Sequence, residues 1–242
     1  GGISAEKADD VMGQAYCLRA FTYFWIIRIW GDAPLVTAPY LDSNDSFDLP
    51  KAAVADIVEQ IHSDLENASN MIDKNSTSRT TFTQTAAYAI NAHVYAWEHK
   101  YEETINMADK VLTNTNYTLA NLYDEKYTGT TDDVKNKNFK ALVQASEYAQ
   151  IFNTGRSKES IFEIQFSMSS ANGATYRTQF HRWIGVSELG GWDEILPSQT
   201  LISEFKKEGE TATTGRYDSR MYATLFFNCD YYNDGNGRIY GY

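Results

Sequence analysis

The fold class is decided by residues 83–113, which read TQTAAYAINAHVYAWEHKYEETINMADKVLT. Thr83 is placed as the N-cap of a helix whose alanines recur at spacings of three, three and four. After a tight turn at Lys100, a second helix follows with its own apolar stripe. The two stripes are Ala86, Ala89, Ala92 and Ala96, then Tyr101, Ile105, Ala108 and Leu112. The stretch therefore predicts an antiparallel helical hairpin over 83–99 and 101–113.

The region before the hairpin also predicts helices. In the first, Val11, Ala15, Leu18, Thr22, Trp25 and Ile29 recur at spacings of four and three, and Gly31 is a natural stop. Residues 21–27 are apolar on nearly every side, which is typical of a helix covered by neighbours. The rings of Phe24, Trp25, Trp30 and Trp97 are accordingly interpreted as structural. A second helix is predicted to begin near Pro50 and to bury Val54, Ile57, Val58, Ile61, Leu65, Ala68 and Ile72.

The pattern changes after about Asn114, where Gly, Asn, Ser and Thr become frequent. The hairpin has about the size of one 34-residue tetratricopeptide-like unit. We therefore expect a helical scaffold over 1–115 and a mixed, loop-rich segment over 116–242. In the second segment, alternation predicts strands at 161–166 and 222–227. Ser198 is the expected N-cap of a short helix that carries Leu201 and Phe205.

Composition excludes several classes of protein. The 242 residues carry 21 Lys and Arg against 32 Asp and Glu, a net charge of −11, so general nucleic-acid binding is not expected. Tyr (17) outnumbers Phe (12), which suits rings with one solvated edge. The apolar stretch 20–30 is shorter than the roughly 18 residues that a membrane span needs. Cys17 is expected to be a small buried hydrophobe, and nothing supports its pairing with Cys229.

Catalytic and metal-binding patterns are not found in the sequence. No pair of acids suggests a glycosidase, because Glu66, Glu102 and Glu103 fall on solvated helix faces. There is no Gly-x-Ser-x-Gly, and the four histidines form no HExxH pattern. Residues 230–237 resemble a calcium loop in part, but Tyr232 stands where an oxygen ligand belongs, so a hairpin turn is favoured. We expect no catalytic residue, no metal and no cofactor.

Five segments, in order along the chain, resemble motifs of the SusD/RagB family of Bacteroidetes surface lipoproteins. They are CLRAFTYF at 17–24 with GDAPLV at 31–36, IHSDLENA at 61–68, the hairpin residues 83–95 with 101–103 and 108–111, SKESIFEI at 157–164, and Gly191-Trp192 followed by PSQTLISEF at 197–205 and YDSR at 217–220. Ser219 stands where the family has proline. The family's lipidated cysteine and first helices have no counterpart here, so we interpret the chain as a fragment or an unusually short member.

The resemblance implies a mainly α, SusD-like fold with a tetratricopeptide-like scaffold and minor strands. It implies a non-catalytic protein that captures oligosaccharides for a SusC-like TonB-dependent transporter. The expected location is the extracellular face of the outer membrane, through a lipid anchor outside this sequence. Two alternatives stay open: a peptide-binding relative of the same family, and a helical-repeat adaptor without a small-molecule site.

The candidate carbohydrate site lies after the segment at 157–164, in a Gly- and Asn-rich region. Aromatic rings cover the apolar face of a sugar, and polar side chains bond its hydroxyl groups. Loops on a rigid scaffold are where such residues tend to lie. The site residues are expected to be Tyr176, Trp183 and Trp192, with Arg177 and Asp193 as polar partners. The alternative interpretation is that these rings pack a core.

Overall fold

A computed structural model describes residues 2–42, 48–120, 151, 157–164, 170, 171, 174, 175, 183, 192 and 194–211. The chain forms two compact units, Gly1–Thr118 with Ser160–Glu163, and Leu119–Glu159 with Ile164–Tyr242. The described residues are mainly helical, as predicted. None of the helices in these ranges is both long and apolar enough to cross a membrane. The division into domains at 115 and 116 stays a prediction.

The first unit is a row of helices with one small ladder. Its elements are α1 (Ala5–Trp30), β1 (Ala33–Pro34), β2 (Lys51–Ala52), α2 (Val54–Met71), α3 (Gln84–Trp97) and α4 (Tyr101–Leu112). Along the row, α1 packs on α2, α2 on α3, and α3 on α4. The two strands are antiparallel, with Ala33 opposite Ala52. The hairpin predicted from the sequence is therefore confirmed as α3 and α4.

The second helix begins at Val54, so the predicted start near Pro50 is wrong. Lys51 and Ala52 are held in the ladder with β1, which keeps the chain extended up to that point. The carboxylate of Asp32 then accepts a hydrogen bond from the Val54 amide at 2.9 Å and caps the helix. The predicted buried face is confirmed apart from Val54, which is half-buried.

The core of the first unit comes from α1, α2, α3 and the loop before α3. Its large, fully buried apolar side chains are Phe24, Ile57, Ile61, Leu65, Ile72 and Val94. Gly13 lies where α1 approaches α2, because a Cβ at this position would come within 2.8 Å of Ile72 Cγ1. Cys17 is buried as predicted, and burial raises the pKa of its thiol to about 12.

The apolar stripe predicted for α1 does not face this core. Leu18, Trp25 and Ile29 are about half exposed, and the buried face is formed by other residues: Gly13, Cys17, Ala20, Tyr23, Phe24 and Ile27. The expectation that neighbours cover this helix on all sides is therefore wrong within the described ranges. Phe24 is buried as expected, but Trp25, Trp30 and Trp97 are each at least 40% exposed.

The α3–α4 hairpin follows its predicted local signals. Thr83 Oγ1 accepts a hydrogen bond from the Ala86 amide at 3.0 Å, which confirms the N-cap. The connecting turn has His99 in the left-handed region, with φ of 64°. Tyr101, Ile105 and Leu112 of the predicted α4 stripe are exposed, and no residue of α4 is buried.

Residues 160–163 return to the first unit. The Phe162 ring stacks on Phe82 with centroids 4.4 Å apart and meets Phe21 edge-on. The Glu163 amide donates to the carbonyl of Arg79 at 2.6 Å. The strand predicted at 161–166 is wrong for 161–164, because this segment packs a ring into the helices instead of pairing in a ladder.

In the second unit, β3 (Ser170–Ala171) pairs antiparallel with β4 (Ala174–Thr175), and α5 covers Gln199–Thr211. Ser198 Oγ accepts a hydrogen bond from the Leu201 amide at 3.1 Å, so the predicted N-cap and helix are confirmed. Among the α5 side chains that are described, Ile202 is buried, while Leu201 is 42% exposed. The strand predicted at 222–227, Cys229 and the loop at 230–237 lie outside the described residues.

Candidate functional site

Two of the five predicted site residues, Trp183 and Trp192, fall within the described ranges of the second unit. Tyr176, Arg177 and Asp193 lie outside them, so their part in a site stays a prediction. The Trp183 side chain is 38% exposed and that of Trp192 is 46% exposed. Neither ring is fully buried, so each presents part of its surface to solvent.

Backbone hydrogen bonds bring the two tryptophan segments together. The carbonyl oxygen of Trp183 accepts from the amides of Glu194 and Ile195, at 2.9 and 3.0 Å. One acceptor is thus shared by two consecutive donors, which fixes the chain just after Trp192 against Trp183. The arrangement joins two aromatic residues that are nine positions apart in sequence.

The same segment carries apolar surface that the sequence analysis did not single out. Ile195 and Leu196 directly follow the hydrogen-bonded amides and are 49% and 58% exposed. The capped start of α5, at Ser198, fixes the chain immediately after them. An Ile-Leu pair is not a recognisable binding motif in a sequence. What links this pair to the tryptophans is the set of backbone hydrogen bonds to Trp183.

Such a surface suits binding more than proton transfer. Indole rings and branched aliphatic side chains cover the C–H face of a pyranose, while carboxylates such as Glu194 accept hydrogen bonds from its hydroxyl groups. Within the described residues, no group of three or more His, Cys, Asp or Glu side chains is placed to hold a metal ion.

Glu159 of the SKESIFEI motif has a structural contact in the second unit. Its carboxylate accepts a hydrogen bond from the Ala120 amide at 2.5 Å. This contact holds two segments that are 39 residues apart. The Glu159 carboxylate therefore holds the backbone at Ala120, a role that the motif alone does not indicate.

A groove lies in the first unit, between the N-terminal turn of α1 and the end of α2. This groove has a volume of about 540 Å³ and is lined mainly by charged side chains, among them Glu6, Lys7, Asp9, Asp10, Asp73 and Lys74. Lys7 and Asp10 pair with each other at 3.0 Å. The lining contains no aromatic ring, so it lacks the surface on which a sugar face stacks.

Comparisons with known proteins support the resemblance of the motifs. Residues 3–96 match the model of a SusD-like family described as starch-binding and associating with the outer membrane. SusD-like protein P38 of Formosa agariphila is 31% identical over 127 residues, covering 48% of this chain and 24% of the relative. SusD-like protein P2 of the same organism is 28% identical over 109 residues, covering 45% and 22%. The chain thus spans about a quarter of the length of these curated relatives.

Solved structures share the fold. A SusD superfamily protein of Bacteroides vulgatus matches with a TM-score of 0.64 at 24% identity, covering 90% of this chain and 40% of its own. A SusD-like protein of Bacteroides fragilis matches with a TM-score of 0.53 at 23% identity, covering 69% and 29%. The family model over residues 3–96, the curated relatives and the shared helical fold agree, so this chain is similar to SusD-like proteins.

Proposed function

We propose that this chain is part of a non-catalytic protein that captures oligosaccharides at the bacterial cell surface. The observation that carries the proposal is the backbone pairing of Trp183 with the segment just after Trp192, together with the partial exposure of both tryptophans. The family's description as starch-binding and associating with the outer membrane supports a glycan as the ligand.

The sugar lies against Trp183 and Trp192 in this proposal, with Ile195 and Leu196 extending the apolar surface. Stacking removes ring and C–H surface from water together, which favours binding without a charged partner. Tyr176, Arg177 and Asp193 are proposed to supply a further ring and hydrogen bonds to hydroxyl groups. Binding of this kind requires neither a general acid nor a metal.

Isothermal titration calorimetry against a panel of α-glucans, β-glucans, xylans and mannans tests the proposal. At least one glycan is expected to bind, and Trp183→Ala with Trp192→Ala should weaken it by about tenfold or more, since buried aromatic anchors dominate binding energies. Trp30→Ala is the matched control, because this ring is 69% exposed on α1 of the other unit. Incubation with the bound glycan should release no reducing sugar.

Other outcomes identify the alternatives. Heat with extended peptides and none with any glycan would show a peptide-binding relative. A chain that binds neither class, and that keeps its protein partner after loss of both tryptophans, would be a helical-repeat adaptor. Measurable sugar release would contradict the non-catalytic part of the proposal.

The proposed partner is a SusC-like TonB-dependent transporter, and the proposed location is the extracellular face of the outer membrane. Support comes from the family's description as associating with that membrane. Co-purification with such a transporter from detergent-solubilised outer membranes tests this part. The tryptophan variants should still co-purify although they lose the glycan; separate elution of the unaltered chain and the transporter would contradict the partnership.

A further inference from the structure

The face of α1 opposite its packed side carries a continuous stripe of exposed residues. They recur at alternating spacings of four and three: Val11, Ala15, Leu18, Thr22, Trp25 and Ile29. The four large apolar side chains among them are 49–58% exposed. A continuous apolar strip on the surface of a protein marks an interaction surface, whereas single exposed apolar residues are ordinary.

The spacing of the stripe indicates the kind of partner. An alternation of four and three has a mean period of 3.5, which is the period of a coiled-coil seam, whereas a helix lying on a globular core presents a broader apolar face. The packed side of α1 already supplies that broader face toward α2. The exposed stripe therefore fits one further helix that lies along α1.

The stripe has the same spacing when it is followed in the reverse direction, because its positions are symmetric about Ala20. An antiparallel copy of α1 would accordingly bring together three pairs: Val11 with Ile29, Ala15 with Trp25, and Leu18 with Thr22. Each pair sets a smaller side chain against a larger one, which lets facing layers interdigitate. Antiparallel packing also places the N-terminus of each helix dipole beside the C-terminus of the other.

The residues on either side of the stripe are complementary in the same register. On one flank, Asp10 of one copy falls within one helical turn of Arg28 of the other. Within the described ranges Arg28 has no carboxylate partner; its Nε donates to the Phe24 carbonyl at 3.0 Å. On the other flank, Met12 falls equally close to Trp30, and these side chains are 50% and 69% exposed. A charge pair and a methionine–aromatic contact therefore border the seam.

We propose that the exposed stripe of α1 is the contact surface for a second copy of this chain, which docks antiparallel across a two-fold axis. The face of a single helix is smaller than the roughly 1,600 Å² of a standard interface, so a dissociation constant on the order of 10–100 µM is expected. The chain is then a monomer in dilute unfolding experiments and a dimer at high concentration.

Sedimentation equilibrium of the whole chain between about 2 and about 500 µM tests the proposal. The mass should rise from that of one chain to that of two. Leu18→Glu places a charge at the centre of the seam and should weaken association by about tenfold or more. Ile105→Glu is the matched control, since this side chain is 59% exposed on α4, and it should leave the dissociation constant unchanged. Circular dichroism shows whether both variants are folded.

Cysteine cross-linking tests the antiparallel register separately. A mixture of Val11→Cys and Ile29→Cys chains should form a disulfide-linked dimer under mild oxidation. Val11→Cys chains alone should link no more than the unaltered chain does.

A monomer at every concentration would overturn the proposal and leave the stripe to a helix of another sequence. A dimer that Leu18→Glu leaves unchanged would overturn it too. Linkage of Val11→Cys chains alone, as efficient as that of the mixture, would contradict the antiparallel arrangement.

Discussion

Arg19 and Asp64 are 45 positions apart, and they form a bidentate salt bridge between α1 and α2. The guanidinium donates from Nε at 2.7 Å and from Nη2 at 2.6 Å to the two carboxylate oxygens. Gln60 also donates to Asp64, and Arg19 Nη1 donates to the carbonyl of Thr37. Asp64 is fully buried, so the pair ties both helices to the loop after β1. The hydrogen bonds with the Asp64 carboxylate raise the pKa of Arg19, which keeps it charged.

Asp64→Asn is expected to destabilise the chain by about 2–4 kcal/mol at pH 7, because it leaves a guanidinium without its counter-charge. The lower part of this range allows for the one quarter of the Arg19 side chain that is exposed. Urea unfolding followed by circular dichroism measures the effect.

Asp10→Asn removes the acid of an exposed pair with Lys7 and is the control, expected to cost less than about 1 kcal/mol. An equal effect of the two substitutions would show that burial does not set the strength of the Arg19–Asp64 pair.

The motifs at 17–24 and 31–36 contain residues that contact one another. Tyr23 OH accepts a hydrogen bond from the Val36 amide at 2.6 Å and lies 3.2 Å from the carbonyl oxygen of Pro34, to which it donates. Asp32 caps α2. The sequence could show that these residue types recur in a family pattern, but not which ones would pair. Their partners lie 11 to 22 positions away, beyond the reach of local periodicity.

At the scale of elements, α1 has apolar residues on two faces. Periodicity identified a stripe of apolar side chains correctly as one face of a helix, yet the opposite face is the one that packs. Small residues such as Gly13 and Ala20 let α2 and its neighbours approach that side closely, and a hydrophobicity pattern gives little weight to small residues. Packing partners, which a single sequence does not contain, decide between two apolar faces.

Leu18→Ala and Leu65→Ala compare the two environments with one chemical change. Leu18 is 55% exposed on α1 and Leu65 is 1% exposed on α2, while Leu and Ala have similar helix propensities. Leu65→Ala should cost about 2–5 kcal/mol through lost burial and a cavity, and Leu18→Ala less than about 1 kcal/mol. Thermal or urea denaturation of both variants checks this. A larger loss at Leu18 would contradict the packing of α1 described above.

Local signals were predicted more successfully than long-range ones. The caps at Thr83 and Ser198 and the stop at Gly31 each depend on a few neighbouring residues, and all three are present. The start of α2 was misplaced because Lys51 and Ala52 pair with a strand 18 positions earlier. The segment at 161–164 was misassigned because Phe162 packs on Phe82, far away along the chain.

At the scale of the whole molecule, the first unit contains the packed helical core, and the second unit contains the proposed binding site. In the first unit, the conspicuous aromatic side chains include buried Phe24 and the half-exposed Trp25, on which Arg28 lies 4.3 Å from the ring centroid. In the second, Trp183 and Trp192 belong to segments joined by hydrogen bonds. The sequence singled out both tryptophans by their loop-rich surroundings, whereas the structure is what suggests Ile195 and Leu196 as part of the proposed site.

The indole N–H signals of the chain test the central claim most directly. The sequence contains five tryptophans, so a 1H–15N spectrum resolves one side-chain signal for each. On titration with a glycan that binds, the signals of Trp183 and Trp192 should move in a saturable way, while those of Trp25, Trp30 and Trp97 stay in place. Binding that moves any of these three signals and leaves Trp183 and Trp192 unchanged would contradict the proposed site.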